Sequence, residues 1–575
     1  MKYTISYKAP NTQYIPIKAS FDVSNAKEIT LQFPSWRPGR YERSDFVKNI
    51  HGFHVLNDQG GKTPSSKIAK DQWSVNTENT QEITVHYKYH AAELNAGSTY
   101  MDDQQLYVNP VNCLVFIPSQ QLNPCELTLD IPENFEIAAG IPFANHHAHF
   151  EDYHQLVDNP FIASPTLHHF TFNCKSVKFH LWFQGDVKLD EKKIIDDFSR
   201  YTEHQIEQFG EFPVNEYHYL FQILPEKAYH GVEHQNSTVI ALGPTYDLMS
   251  SLYNDFLGVS SHELYHCWNV KALRPVEMYP YDYATENYSR LGYVTEGVTT
   301  YMGDLFLLQS GVKDWKWYKS ELEVLLQRHF DNFGRFNYSV AESSFDTWLD
   351  GYVAGAPNRK VSIYNEGALL AFVLDCKIRT NSENNASLHT VMKAMYDQFA
   401  LKKVGYTEND FKGVLEQYAN ENLEDFFDNY YNGLHSFEPV LVNALEQIGL
   451  ELKMKPNPLH SIALLGIKTS ISDGRTIIKN IYPGSSADLG GVTLEDEVVG
   501  INGFKVTGDL NKWVEYFKDD SITLLINRKG RLIEISCPNV NKSYYPIYAI
   551  EKLKIPSNLQ KRIFKKWSAH TWDEI

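Results

Sequence analysis

Two histidines and a glutamate stand at the spacing that a catalytic metal site needs. His262 and His266 are four positions apart, and Glu263 directly follows the first histidine. On a helix, side chains at i and i+4 share one face, so both imidazoles can bind one ion. Glu263 would then point toward a water molecule on that ion, where a general base acts. The segment predicts a zinc site for hydrolysis; the alternative is a pair of histidines packed in a polar core.

A third ligand is expected, because catalytic zinc usually keeps three protein ligands and one open position. The acidic candidates downstream are Glu277, Glu286 and Glu296. The first two lie in segments typical of loops, whereas Glu296 opens a helical pattern that would hold a ligand rigidly. We predict that Glu296 completes a site for one Zn²⁺ per chain, with Glu286 as the alternative. Glu296 could instead be an acid that complements a helix dipole.

The chain around these residues has the composition of a multidomain globular protein. Its 575 residues exceed the size of one hydrophobic core. A formal net charge of −18 repels phosphate backbones, so nucleic acid is not an expected partner. No apolar run approaches the ~20 residues of a membrane span. The six cysteines lie far apart and the N-terminus lacks a signal-peptide core, so a cytoplasmic location is expected rather than a periplasmic one.

Alternating apolar and polar residues predict β-strands toward both ends of the chain. The predicted strands are 28–33, 82–89, 126–131, 178–183, 217–224, 237–242, 461–467, 476–481, 497–501 and 522–527. A helix is predicted at 190–209, and helical spacing dominates from 255 to 449. These patterns indicate an N-terminal sandwich, a mainly helical centre and a small C-terminal module, with a last helix packed back on the body.

The motif that begins at His262 and ends with Cys-Trp-Asn-Val-Lys at 267–271 resembles the glycyl aminopeptidase family. So do Pro-Tyr-Asp-Tyr at 280–283, Thr-Glu-Gly at 295–297 and the turn Trp-Arg-Pro-Gly-Arg-Tyr at 36–41. That family consists of PDZ-containing gluzincin zinc peptidases related to aminopeptidase N. Over most of the chain the resemblance implies a multidomain α+β fold. Its expected parts are a β-sandwich at 1–175, a thermolysin-like, mainly helical catalytic domain at 176–450, a PDZ domain at 451–540 and a tail at 541–575.

Two further segments carry site residues that the resemblance implies. Gly231 and Glu233 lie just before a predicted strand and resemble the substrate loop that recognises a free α-amino group. His230 stands where relatives are expected to have glycine, which would narrow the pocket. Tyr364 resembles the tyrosine that stabilises the oxyanion, although Glu366 replaces the usual lysine of that segment. Without the metal motif, the first segment would be an ordinary surface turn and Tyr364 a packed tyrosine.

The segments Leu-Leu-Gly-Ile at 464–467 and Ile-Asn-Gly at 501–503 resemble a PDZ domain, which binds C-terminal peptides. The expected partners are therefore peptides with a free N-terminus at the catalytic site and a C-terminal peptide at the PDZ module. Glu495-Asp496 replaces the Gly-Asp that is usual in such domains.

Together these residues predict a zinc aminopeptidase in which Glu263 is the general base, with N-terminal glycine or alanine preferred as the family implies. The alternatives are a zinc endopeptidase with a purely structural Glu233, a catalytically idle PDZ scaffold, and an epoxide hydrolase on the same zinc scaffold.

Overall fold

The structure is a computed structural model that describes residues 1–24, 26–353 and 355–575. The chain divides into two units, each with its own core. The larger consists of Met1–Tyr318, Asn332–Ile448 and Ser557–Ile575, and the smaller of Lys319–Asp331 and Gly449–Pro556. Every residue expected at the metal and substrate site belongs to the larger unit. The domain bounds given above stay a prediction.

The N-terminal part of the larger unit is β-rich, as its alternating sequence predicts. Its elements are β1 (Lys2–Ser6), β2 (Tyr14–Asp22), β3 (Glu28–Gln32), β4 (Ile50–Asn57), β5 (Ser65–Ala69), β6 (Gln72–Asn76), β7 (Glu82–His90), β8 (Tyr100–Met101), β9 (Leu106–Val108), β10 (Cys125–Asp130), β11 (Glu136–Ala139), β12 (His147–Phe150), α1 (Tyr153–Val157) and β13 (Phe161–Ser164). The sheets have the orders β12-β10-β1-β2-β7-β4, β11-β13-β9-β8 and β3-β6-β5. In β7, Ile83, Val85 and Tyr87 alternate inward and are buried in one core.

A five-stranded sheet follows, with the order β14-β15-β16-β18-β17. Its strands are β14 (His168–Cys174), β15 (Val177–Gln184), β16 (Glu216–Ile223), β17 (Ala228–Glu233) and β18 (Ser237–Gly243), and α2 (Glu191–Phe209) connects β15 to β16. Strands β15, β16 and β18 are parallel, and the last two are almost fully buried, as parallel strands usually are. The Asp190 side chain accepts the Lys193 N–H and begins α2, which Gly210 ends at φ 82°. Strand β17 forms an edge of the sheet.

The centre of the chain is helical, which confirms the prediction. Its helices are α3 (Tyr253–Tyr265), α4 (Thr299–Gln309), α5 (Trp315–Asp331), α6 (Val340–Phe345), α7 (Thr347–Asp350), α8 (Ile363–Asn381), α9 (Leu388–Met395), α10 (Glu408–Ala419), α11 (Glu424–Phe426) and α12 (Glu438–Gln447). A π-helical segment, Tyr293–Val298, leads into α4. Helix α8 is buried along most of its length, so it forms the middle of this region.

The smaller unit contains a sheet with the order β20-β21-β22-β24-β25, to which β23 adds beside β22, and a separate β19-β26 pair. Its elements are β19 (Leu450–Lys455), α13 (His460–Leu465), β20 (Ile467–Ser472), β21 (Arg475–Ile481), α14 (Ser486–Gly490), β22 (Glu497–Ile501), β23 (Phe504–Lys505), α15 (Leu510–Tyr516), β24 (Ile522–Arg528), β25 (Arg531–Cys537) and β26 (Ile547–Lys552). The chain then ends in the larger unit with α16 (Asn558–Ser568).

One predicted strand is wrong, namely 461–467. Residues His460–Leu465 form helix α13 instead, and Gly466 at φ +72° ends it by donating its N–H to the Ile462 carbonyl. The strand begins only at Ile467.

No helix in the described part of the chain is both long and apolar enough to cross a membrane. All six cysteines are buried free thiols.

Candidate active site

The two histidines predicted as metal ligands lie on α3 and at its end. His262 belongs to the last turn of the helix, and His266 is its C-cap. Their Nε2 atoms are 3.0 Å apart, and the rings stand at 84° to each other. The His266 side chain is buried, whereas that of His262 is 19% exposed. The spacing of four residues therefore brings two imidazole nitrogens to one point that can still be reached from outside.

Glu296 joins the histidines from the π-helical segment before α4. Its Oε2 lies 3.4 Å from His266 Nε2 and 3.7 Å from His262 Nε2. The ligand atoms of the three residues all lie within 4.8 Å of one another. Single π-helical turns are frequent at functional sites. Two imidazoles and one carboxylate form a donor set that suits Zn²⁺.

The other two acidic candidates have different partners. Glu286 pairs with Arg43 at 3.1 Å, and Glu277 accepts a hydrogen bond of 3.5 Å from Ser289. Neither belongs to a group of potential metal ligands within the described ranges of the chain. The structure therefore brings Glu296, and not Glu286 or Glu277, to the histidines.

Asn269 connects the two elements that carry these ligands. Its carbonyl accepts a 2.7 Å hydrogen bond from His266 Nδ1, so the Nε2 atom of His266 faces the cluster. The Asn269 side-chain amide donates to the Val294 carbonyl at 2.8 Å and to Thr299 Oγ1 at 3.0 Å. This one buried residue therefore orients a ligand and holds α3 against the π-helical segment.

Two glycines let the π-helical segment cross α8 at close range. A Cβ on Gly297 would lie 2.4 Å from Gly367 Cα, and a Cβ on Gly367 would lie 2.7 Å from Gly297 Cα. Only residues without a side chain allow such an approach. Gly297 follows Glu296, and Gly367 comes one helical turn after Tyr364, so the crossing sets the distance between those two side chains.

The charges of the cluster favour a cation. Burial alone would raise the pKa of Glu296, but His266 and His262 outweigh burial and lower the pKa to about 2. Burial alone would lower the pKa of His266, but the Glu296 carboxylate reverses this effect and raises the pKa to about 10. The surroundings thus stabilise a positive charge at the point where the ligand atoms meet. A bound Zn²⁺ would supply that charge, so the residues present fit the metal.

Glu263 lies beside the cluster and against the edge strand β17. A Cβ on Gly231 would lie 2.1 Å from Glu263 Oε1, so the glycine leaves room for the carboxyl group. Glu263 is buried, and its Oε2 has no hydrogen-bond partner among the described residues. Burial raises the pKa of this carboxyl well above its usual value, against the opposing effect of His266. Such a group is suited to taking up and releasing a proton.

Glu233 is a second buried carboxylate, at the end of β17. Its Oε1 has no hydrogen-bond partner within the part of the chain that the structure describes. Gly39, at φ +79° in the 36–41 turn, packs against it, and a Cβ there would lie 2.5 Å from Glu233 Oε2. Glu233, Glu263 and His266 have ligand atoms within 4.8 Å of one another. An unpaired acid group therefore stands next to the metal cluster.

The segment expected to be a substrate loop is a strand. Gly231 and Glu233 belong to β17, which pairs antiparallel with β18 as far as Glu233 opposite Thr238. The sequence predicted β18 but not β17, because Gly231 weakens the strand pattern of β17. Since β17 has no partner on its outer side among the described residues, its backbone groups there can accept an extended peptide.

Tyr364 lies in the first turn of α8 and faces the metal cluster. Its ring centroid is 6.4 Å from that of His262. Its hydroxyl is 3.3 Å from the hydroxyl of Tyr352. Burial raises the pKa of Tyr364 well above its usual value, and the Glu296 carboxylate adds to the shift. The phenol therefore keeps its proton and can donate it in a hydrogen bond.

Sequence reasoning missed Tyr41, Tyr352, Asn269 and Arg37 as parts of this site; the Arg37 charge opposes the rise in the pKa of Glu263 that burial causes. Tyr41 donates a 3.2 Å hydrogen bond to Glu296 Oε1 across 255 residues of sequence. Three of the four lie in quoted motifs, the 36–41 turn and the 262–271 segment. Those motifs were the available signal, although no local pattern shows which side chain touches which ligand.

Residues 2–165 match the family model described as the Peptidase M61 N-terminal domain, and residues 255–370 match the model described as M61 glycyl aminopeptidase. Among solved structures, an aminopeptidase N family protein from Idiomarina loihiensis is similar over 99% of this chain and 99% of its own, with 27% identity and a TM-score of 0.90. An M1 zinc metallopeptidase from Deinococcus radiodurans is 12% identical, with a TM-score of 0.49 over 76% of this chain and 94% of its own. No curated protein matches the chain.

The family models and the buried cluster define a peptidase. Two M61 family models, the N-terminal domain and the glycyl aminopeptidase, match separate parts of the chain, which confirms the resemblance seen in its sequence.

Proposed function

We propose that the protein is a zinc-dependent aminopeptidase that hydrolyses the first peptide bond of its substrates. The observation that carries this proposal is the grouping of His262, His266 and Glu296 beside a separate buried carboxylate at Glu233. The three ligands would hold one Zn²⁺, which as a Lewis acid would activate water and polarise the substrate carbonyl. The name of the matching glycyl aminopeptidase model also supports a preference for N-terminal glycine, and we extend this preference to alanine.

Glu263 moves the proton in this proposal. Its Oε2, buried and without a hydrogen-bond partner within the described ranges, takes a proton from the attacking water. The raised pKa of the carboxyl favours holding that proton until the peptide nitrogen leaves. Glu263 then gives the proton to the nitrogen, so the group ends the cycle as it began.

Glu233 and Tyr364 act on the two ends of the reacting group. The Glu233 carboxylate pairs with the substrate ammonium, and a peptide without a free amine would leave that buried charge unpaired. The Tyr364 hydroxyl donates to the oxygen that becomes negative at the carbonyl carbon. Because Glu233 occupies the end of β17, the substrate extends past Glu263 by one residue only, which supports release of single residues.

Glu263→Gln tests the proton transfer. The variant should keep one zinc per chain but lose at least about 10²-fold in turnover, the usual contribution of general acid–base catalysis. Zinc content by mass spectrometry and release of an alanyl reporter measure the two properties. The matched control is Glu277→Gln, an exposed acid outside the metal cluster that should retain both. Normal turnover by Glu263→Gln would show that Glu263 is not the general base.

For the smaller unit, we infer a PDZ-type module that binds a C-terminal peptide. Strand β20 lies at the end of its sheet, which supports addition of a peptide strand. In a PDZ domain, backbone N–H groups of the loop at 464–467 would bind the peptide carboxylate. The Gly466 N–H already donates to the Ile462 carbonyl. A peptide groove in this unit would therefore bind a carboxylate through fewer backbone N–H groups than the PDZ resemblance implies.

A further inference from the structure

A cavity of about 380 Å³ beside the 36–41 turn has an unusual charge for this molecule. The whole chain carries a formal net charge of −18. Four cationic side chains nevertheless line the cavity, against the two acidic ones of Glu42 and Glu93: Arg37, Arg40, Arg43 and Lys48. A concave surface lined with cations raises the local concentration of anionic groups.

Two of these cations are already paired. Arg40 forms a salt bridge with Glu42, and Arg43 forms one with Glu286 at 3.1 Å. Arg37 differs, because no carboxylate of the described residues lies within 4.0 Å of its guanidinium group. It is only 4% exposed.

The hydrogen-bond partners of Arg37 are neutral, while its charge acts at longer range on the carboxyl groups of Glu233 and Glu263. Its Nη1 donates to the Pro38 carbonyl at 3.3 Å, and its Nη2 lies 3.3 Å from His230 Nε2. Burial and the Arg37 charge lower the pKa of His230 to about 3, so the imidazole is neutral and accepts that hydrogen bond. Gly97 leaves the room that the guanidinium fills, since a Cβ there would lie 2.1 Å from Arg37 Cζ. A carboxylate is the ligand that would stabilise such a buried guanidinium charge most, because the two groups can form two parallel hydrogen bonds.

Two residues that line the cavity contact neighbours of the proposed catalytic residues. Arg37 contacts His230, the neighbour of the glycine that packs on Glu263. Arg40 stacks on the ring of Tyr352, 5.1 Å from its centroid, and the Tyr352 hydroxyl is the one near Tyr364. Arg37 and Arg40 therefore connect the cavity to the surroundings of the proposed reaction centre.

The contact of Arg37 with His230 lies three residues along β17 from Glu233, in the direction in which the leaving group of an extended substrate would run. Glu233, proposed to bind the amine, is followed in the direction of Ala228 by Gly231 beside Glu263 and then by His230 beside Arg37. Three residues of strand span roughly 10 Å. An extended peptide with its amine at Glu233 would thus bring its second or third residue to Arg37.

We propose that Arg37 and its cavity bind a carboxylate of the substrate, so that the enzyme prefers peptides with a carboxylate just after the scissile bond. Such peptides are of two kinds: dipeptides and tripeptides with a free C-terminus, and longer peptides with an acidic second or third residue. This inference rests on the proposed aminopeptidase function.

The test compares substrates that differ only in that carboxylate. Alanyl-alanine is measured against its C-terminal amide, and alanyl-glutamate amide against alanyl-glutamine amide, with the zinc-loaded full chain. The wild type should favour the carboxylate of at least one pair by about tenfold or more in kcat/KM, since a charge-assisted bidentate pair is at stake. The first pair reports a terminal carboxylate and the second an acidic side chain. The preference should shrink as ionic strength rises.

Arg37→Gln should reduce the ratio within each pair to about one, whereas a purely structural defect would slow both members equally and leave the ratio unchanged. Lys8→Gln, an exposed cation of the same N-terminal region, is the matched control and should keep the wild-type ratio. Equal rates within both pairs for the wild type would overturn the inference, even if the variant does not fold. An alanyl p-nitroanilide separates the two claims: its cleavage alongside equal ratios refutes only the carboxylate site, while failure to cleave any of these compounds refutes the proposed function as well.

Discussion

The contribution of a single residue to zinc affinity can be measured at Glu296. Glu296 supplies one of three ligands, so Glu296→Gln should weaken zinc binding by more than about 100-fold, because even groups that only orient a ligand contribute about 10- to 100-fold. Zinc retained after dialysis against a weak chelator measures this. Glu286→Gln is the control, since Glu286 pairs with Arg43 instead. Loss of zinc in the control and not in Glu296→Gln would exchange the two assignments.

Zinc binding should also release a proton from His266. Burial would lower its pKa, but the Glu296 carboxylate raises it to about 10, so the metal-free imidazole is protonated at pH 7. A protonated nitrogen cannot bind a metal, so the proton must leave. Zinc affinity should therefore rise about tenfold per pH unit between pH 7 and 9.

Titration calorimetry at pH 7 in two buffers of different ionisation enthalpy measures that proton directly. The difference between the two binding enthalpies, divided by the difference in buffer ionisation enthalpy, should correspond to about one proton released per zinc bound. Equal heats in the two buffers would show that His266 is already neutral.

At the scale of elements, the crossing of the π-helical segment and α8 is the critical feature. Gly297→Ala should place a methyl group 2.4 Å from Gly367 Cα, which should lower the free energy of unfolding by about 1–3 kcal/mol, as overpacking usually does. It should also weaken zinc binding, because Glu296 precedes the crossing. Denaturant unfolding and zinc titration measure the two effects.

The matched control for that substitution is Gly413→Ala on α10, where an added Cβ meets nothing within 4 Å. An alanine there should stabilise the helix slightly. If both variants behaved alike, the close crossing would not govern the site.

Element prediction from the sequence succeeded where the periodicity was long. The helix over 190–209 and the strands β7 and β16 follow directly from spacing and burial. It failed at 461–467, where a short apolar run is compatible with either structure and the left-handed Gly466 decides for a helix. It also missed β17, because Gly231 interrupts the alternating strand pattern of this segment. A glycine is needed there, since a larger residue would collide with the Glu263 carboxyl group.

At the scale of the whole molecule, the β-rich beginning and the helical middle could be predicted, and so could the residues that now meet at the site. The meetings themselves could not. Tyr41 reaches Glu296 across 255 positions, and Arg37 reaches His230 across 193. Such contacts depend on how the N-terminal sheets and the helical region pack within one unit, and local periodicity carries no information about that packing.

The central claim is that the cluster cleaves peptides from a free N-terminus, and the most direct test is a pair of matched substrates. The zinc-loaded protein should release the reporter from an alanyl amide, whereas the N-acetylated compound should react at least about 10²-fold more slowly, because it leaves Glu233 buried without a cationic partner. Equal cleavage of the two compounds would contradict the account and indicate an endopeptidase.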